Sequence, residues 1–235
     1  MDEIARRIAD NLASVRGQIA AAAGRSGRAV EAVTLVAVTK SAPPEIARRL
    51  VEFGATDLGE SRPQELWSKA HALSKVEVRW HLIGHLQRNK IRRTVPHLTL
   101  MHSVDSRRLL VAIDDEARAI GRVARVLLEV NISGDIAKTG LPPAELEAIF
   151  ANAARLPNVA VRGLMGMAAL AGGQDAARRD FSRLRELRDR LASNAPGEVS
   201  LAELSMGMSG DFEIAVEEGA TLVRVGSALF EGIDF

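Results

Sequence analysis

The sequence predicts a single α/β domain, a (β/α)8 barrel preceded by an extra N-terminal helix. Three observations predict it. Eight short apolar runs rich in β-branched residues recur along the chain, a helical segment follows nearly every one, and 235 residues is near the length of one such barrel. Alternating strand and helix units argue for a parallel sheet, and eight of them fit a closed barrel better than an open doubly wound sheet. An open dinucleotide-binding sheet should show a Gly-rich turn after an early strand and an acidic residue about 20 positions later. The chain has neither.

Residues 1–24 place Ile4, Ile8, Leu12, Val15 and Ile19 at helical spacing with charges between them, an amphipathic helix rather than the unbroken apolar core of a signal peptide. Strands follow at 33–39, 56–58, 78–83, 98–102, 125–131, 159–164, 201–204 and 222–225. Helices are expected at 44–53, 62–73, 106–119, 142–154, 176–192 and 211–218, with a shorter, more basic connection at 87–95. Ala171, Gly172 and Gly173 read as a loop. No low-complexity tract or linker divides the chain, so 1–235 reads as one domain.

Composition narrows the function. Lys and Arg total 31 against 30 acidic residues, which gives no general attraction to nucleic acid or to an anionic membrane. No run approaches the roughly 20 apolar residues of a membrane span. Cysteine is absent, which removes disulfides, thiolate catalysis and Cys-ligated metal, and a cytoplasmic location is the expectation. No metal-ligand spacing and no nucleophile elbow occurs.

Chemistry in such a barrel belongs at the C-terminal ends of the strands. Period-two reading of the first strand puts Lys40 on the face of Thr34, Val36 and Val38, opposite Leu35, Ala37 and Thr39. If that face is the interior, Lys40 enters the mouth, where desolvation would make its amine nucleophilic, as imine chemistry requires. An exposed strand-end lysine is the plain alternative. After the seventh strand comes Ser205-Met206-Gly207-Met208-Ser209-Gly210-Asp211, and after the eighth Gly226-Ser227-Ala228. Phosphate sites recur at these positions, so Ser209, Gly226 and Ser227 are candidates to hold one, although Ser and Gly also serve as simple helix caps. Arg224 shares the parity of Gly226 and points inward, where it needs a partner. His81, Glu129 and Asn131 are further interior polar candidates, His81 more readily as a satisfied core residue. Asp211 has no assigned role.

With Lys40, the Ser-Met-Gly-Met-Ser-Gly-Asp loop and the Val-Arg-Val-Gly-Ser ending in hand, the chain resembles the pyridoxal phosphate homeostasis protein family. Further matches are Gly59-Glu60 with Gln64-Glu65, the run from Trp80 through Gln87 with Asn89-Lys90, Val130-Asn131-Ile132, Lys138-Thr139-Gly140 and Arg162-Gly163-Leu164-Met165, so the likeness spans residues 36 to 232. It implies the barrel of fold-type III pyridoxal 5′-phosphate (PLP) proteins, like the N-terminal domain of alanine racemase. It also implies a Schiff base on Lys40, phosphate held by Ser209, Gly226 and Ser227, and Arg224 facing the pyridine nitrogen. The family usually carries Asn where this chain has Ser61, so that position's contact with the cofactor ring is open.

An arginine at the pyridine nitrogen leaves it unprotonated and weakens the ring as an electron sink, which disfavours transaminase-like chemistry. A racemase would draw a tyrosine from a second domain, whereas this chain has no tyrosine and ends five residues after Phe230. The expectation is a PLP carrier without conventional turnover, involved in PLP homeostasis and working as a monomer with PLP and PLP-dependent apoenzymes as partners. A racemase-like enzyme and a class I aldolase-like barrel acting through Lys40 are the alternatives. Lys138, after the fifth strand, is a candidate second amine for passing on PLP.

Overall fold

The computed structural model describes residues 2–135, 139–169, 171–194 and 201–234. Eight parallel strands close into a barrel in strictly sequential order: β1 (Thr34–Val38), β2 (Asp57–Glu60), β3 (Arg79–Leu82), β4 (Leu98–Val104), β5 (Ala124–Glu129), β6 (Val159–Met165), β7 (Glu203–Ser205) and β8 (Leu222–Val225). The ring closes where β8 pairs with β1, with Val36 opposite Arg224. Among the described residues the helices are α1 (Glu3–Arg25), α2 (Pro44–Glu52), α3 (Pro63–Ala72), the short α4 (Ile91–Thr94), α5 (Arg107–Ala119), α6 (Leu146–Ala153), α7 (Gly173–Ser193) and α8 (Phe212–Glu217).

Each helix begins where local chemistry allows. Asp2 Oδ1 accepts from the Ala5 amide at 2.8 Å and caps α1, and Ser106 caps α5 through the Leu109 amide. Pro44 and Pro63 open α2 and α3, where a missing N–H costs nothing. The basic connection after β3 is α4 flanked by 3-10 turns at Arg88–Lys90 and Val95–His97. Gly172 and Gly173, read as loop, instead start α7: Gly172 is its N-cap at φ +103°, a conformation open to glycine. β2 extends to Glu60, beyond the apolar run, because Glu60 finds a buried partner in Lys69 of α3.

Apolar packing divides into two parts. The larger fills the space between sheet and helices and includes Ile8, Leu12, Val15 and Ile19 of α1, Ala37 and Leu58. Inside the barrel the apolar cluster is small: Val36, Leu100, Leu127, Met165 and Leu222. The remaining interior is polar, and that space holds the site. α1 lies over the β8–β1 seam, where Asn11 Nδ2 donates to the carbonyls of Leu229 (3.2 Å) and Glu231 (3.0 Å) and Arg25 pairs with Glu213 and Glu217. No described helix is long and apolar enough to cross a membrane.

Candidate functional site

Adjacent strands β1 and β8 bring the predicted residues together at the C-terminal mouth. Val36 points into the barrel and Ala37 outward, so the expected parity holds along β1, which ends at Val38, two residues before Lys40. Lys40 is nevertheless exposed, not desolvated, because the strand stops at Val38 and the chain turns at residue 40. Its amine is reachable from solvent.

Arg224 lies inside the barrel and is only 5% exposed. One guanidinium nitrogen donates to Ser205 Oγ at 2.5 Å and the other to the Gly166 carbonyl at 3.1 Å. Burial lowers its pKa to about 10, opposed by the carboxylates of Asp211 and Glu129. Ser209 Oγ accepts from the amides of Gly226 (3.2 Å) and Ala228 (3.5 Å), so the loops after β7 and β8 are tied at a point where backbone donors converge. Asp211, left without a role by the sequence, accepts from the Met208 amide through Oδ1 at 2.6 Å and closes the same loop. A Cβ on Gly226 would lie 3.3 Å from both Cβ and the carbonyl oxygen of Val38, so a side chain there would press on β1.

Among the other candidates, Glu129 is buried and accepts from Thr139 Oγ1 at 2.8 Å, while Asn131 donates to the Asp135 carbonyl. Lys138 lies outside the described residues. Sequence reasoning missed Asp57, His102 and Ser205, all buried and all bound to the interior polar chain that His81 joins. Parity on β4 was the available signal for His102, two residues beyond the inward-facing Leu100.

The donor set suits PLP: a free amine for an aldehyde, converging amides and a hydroxyl for a phosphate, and a buried guanidinium for a ring nitrogen. Among the described residues no cluster of His, Cys, Asp and Glu could hold a metal ion.

Comparison with known proteins places this geometry. The family model "Alanine racemase, N-terminal domain" matches residues 11–233. A pyridoxal phosphate homeostasis protein of Aquifex aeolicus is 40% identical over 221 residues, covering 94% of this chain and 96% of that one. Its counterpart in Escherichia coli K12 is 36% identical over 231 residues, with 97% of each covered. The solved structure of PipY from Synechococcus elongatus with PLP bound superposes with a TM-score of 0.85 at 37% identity, covering 95% of this chain and 99% of that chain. An alanine racemase of Clostridium difficile shares the fold alone, at 17% identity and TM-score 0.75, with this chain spanning 56% of its length. By sequence over nearly its whole length and by its closed parallel barrel, this chain belongs to the pyridoxal phosphate homeostasis protein family, built on the alanine racemase N-terminal domain.

Proposed function

We propose that this chain binds PLP reversibly and acts in PLP homeostasis, holding the cofactor and releasing it to apoenzymes rather than turning over amino acids. The observation that carries the reading is that Lys40 is an exposed amine just past β1, and that the paired strand β8 carries the buried Arg224 and leads into the converging Gly226 and Ala228 amides. PLP supplies an electrophilic aldehyde carbon that a lysine amine can hold covalently and let go. Lys40 would take that carbon. Ser209, with the amides of Gly226 and Ser227, would bind the phosphate, and the guanidinium of Arg224 would donate to the ring nitrogen and keep it unprotonated. Because Lys40 faces solvent, water and incoming amines reach the linkage, which favours exchange over the water-excluded environment that catalysis prefers. The bound PLP of PipY and the names of the relatives support the reading. The whole chain would act as one monomeric domain in the cytoplasm, a location that suits a protein without cysteine.

The test is the near-visible absorbance of the purified protein after PLP is added, with and without borohydride. Native protein should show a band that borohydride abolishes, and Lys40→Ala should not. Absence of any band from native protein with added PLP overturns the proposal. Rapid turnover of alanine enantiomers by the loaded protein would replace it with a racemase.

A further inference from the structure

A continuous chain of polar side chains crosses the barrel interior from Arg224 to its opposite, N-terminal end. Arg224 donates to Ser205 Oγ, which lies 2.7 Å from His102 Nδ1. His102 Nε2 lies 2.9 Å from His81 Nδ1, and His81 Nε2 lies 3.0 Å from Asp57 Oδ1. Asp57 also accepts from Arg79, at 2.8 Å and 2.5 Å. His81, His102 and Ser205 are 3%, 0% and 0% exposed, and Asp57 lines a cavity of about 320 Å³ at the barrel floor.

The chemistry of the two ends dictates a direction. A guanidinium only donates and a carboxylate only accepts. Ser205 Oγ already accepts from Arg224, and among the described residues its other side-chain partner is His102, so its own proton goes to His102 Nδ1. Burial, aided by the charge of Arg224, holds His102 well below the usual histidine range, so the ring is neutral and carries its proton on Nε2. That proton points at His81 Nδ1, which leaves His81 to donate through Nε2 to Asp57. Every hydrogen bond therefore runs the same way, and each polarises the next.

We propose that Asp57, His81, His102 and Ser205 form a directional hydrogen-bond relay that positions Arg224 toward the cofactor ring and links the cofactor site to the charge of Asp57 at the far end of the barrel. None of the four needs to contact the phosphate or the aldehyde, so they are positioning residues. Reversing any one tautomer would set the Ser205 hydroxyl proton against the Arg224 guanidinium and disturb the donor aimed at the ring nitrogen. The inference rests on PLP occupying this mouth with its ring nitrogen at Arg224.

The experiment is ¹⁵N NMR of the histidine rings in native protein, before and after PLP, together with PLP titration of His81→Phe. Before PLP, both rings should carry a proton on Nε2 and none on Nδ1. A proton on Nδ1 of either ring overturns the relay whether or not PLP binds. On adding PLP the His81 ring resonances should shift although three hydrogen bonds separate that ring from Arg224. Unchanged resonances in protein that has bound PLP overturn the coupling. His81→Phe should weaken PLP affinity about 10-fold, the scale at which outer hydrogen-bond partners act on a bound group, and should release His102 from its single tautomer. A folded His81→Phe protein with native affinity and an unchanged His102 tautomer also overturns it. If native protein takes up no PLP at all, the binding proposal fails, and the tautomers of the unliganded protein still decide the direction of the chain.

Discussion

Lys69 Nζ lies 2.7 Å from Glu60 Oε1, with both side chains almost fully removed from solvent. The same ammonium donates to the Thr39 carbonyl at 2.6 Å, and Thr39 Oγ1 donates to the same Glu60 oxygen at 2.5 Å. The knot thereby holds the residue immediately before Lys40. Glu60 Oε2 has no hydrogen-bond partner among the described residues. Removing the cation would leave a buried carboxylate without a counter-charge, so Lys69→Met should destabilise the fold by about 3–5 kcal/mol, read from urea unfolding. Lys69→Met combined with Glu60→Leu should recover most of that loss, because apolar replacement of a buried pair is often neutral. Equal losses in the single and double variants would show that the pair is not the source.

The loop that carries Ser209 depends on Gly207. Its φ is +90°, and a Cβ there would lie 2.5 Å from the Ala215 Cβ and 2.9 Å from the Phe212 Cα. Gly207→Ala should cost roughly 1–3 kcal/mol in backbone strain alone and should displace the loop away from Gly226. Thermal melting should fall and PLP affinity should fall with it.

Ser209→Ala removes the hydroxyl that gathers the Gly226 and Ala228 amides, while leaving the fold's apolar packing untouched. A hydrogen bond to a charged group contributes on the order of 1.5–3 kcal/mol, so PLP affinity should drop about 10-fold or more. Affinity for the unphosphorylated aldehyde should change little. Equal losses for both ligands would remove Ser209 from the phosphate site.

Acid should weaken the protein in two stages. Burial depresses His102 below its ordinary value of 6.5, so the unfolded chain binds a proton that the folded chain refuses. Its contribution is complete above pH 6.5 and drains away as pH falls toward the folded value. Burial would raise the pKa of Asp57, but hydrogen bonds from His81 and Arg79 outweigh it and bring the group to about 2. That second contribution is lost as pH falls from near 3.8 through about 2. Urea midpoints measured against pH should therefore decline below 6.5, and His102→Gln should flatten the upper stage while sparing the lower. A native profile flat from pH 7 to 4 would contradict the neutral buried ring.

The barrel was legible because each of its strands carries a compact apolar run and a helix signal follows. Strand parity also placed Val36 and Arg224 on the interior face. What the sequence hid has a common cause: partnership between residues remote along the chain. Glu60 lies two residues beyond the strand expected at 56–58, and its place in β2 makes sense only once Lys69 is seen on α3. Ser205 and His102 meet across 103 positions, so no local pattern announces that two polar side chains satisfy each other inside the barrel. The sequence left the exposure of Lys40 open, because it depends on where β1 yields to a turn.

Closure of the sheet through the β8–β1 pairing has a consequence for traffic with other molecules. An open sheet offers a rim of unpaired N–H and C=O groups onto which a foreign strand can zip. This ring has no such rim. On the proposed function, a recipient of the cofactor could not borrow the backbone as a docking rail and would have to meet the protein end-on, across the loops near Lys40. Any such handover would thus be restricted to one face before any side chain of the recipient is considered.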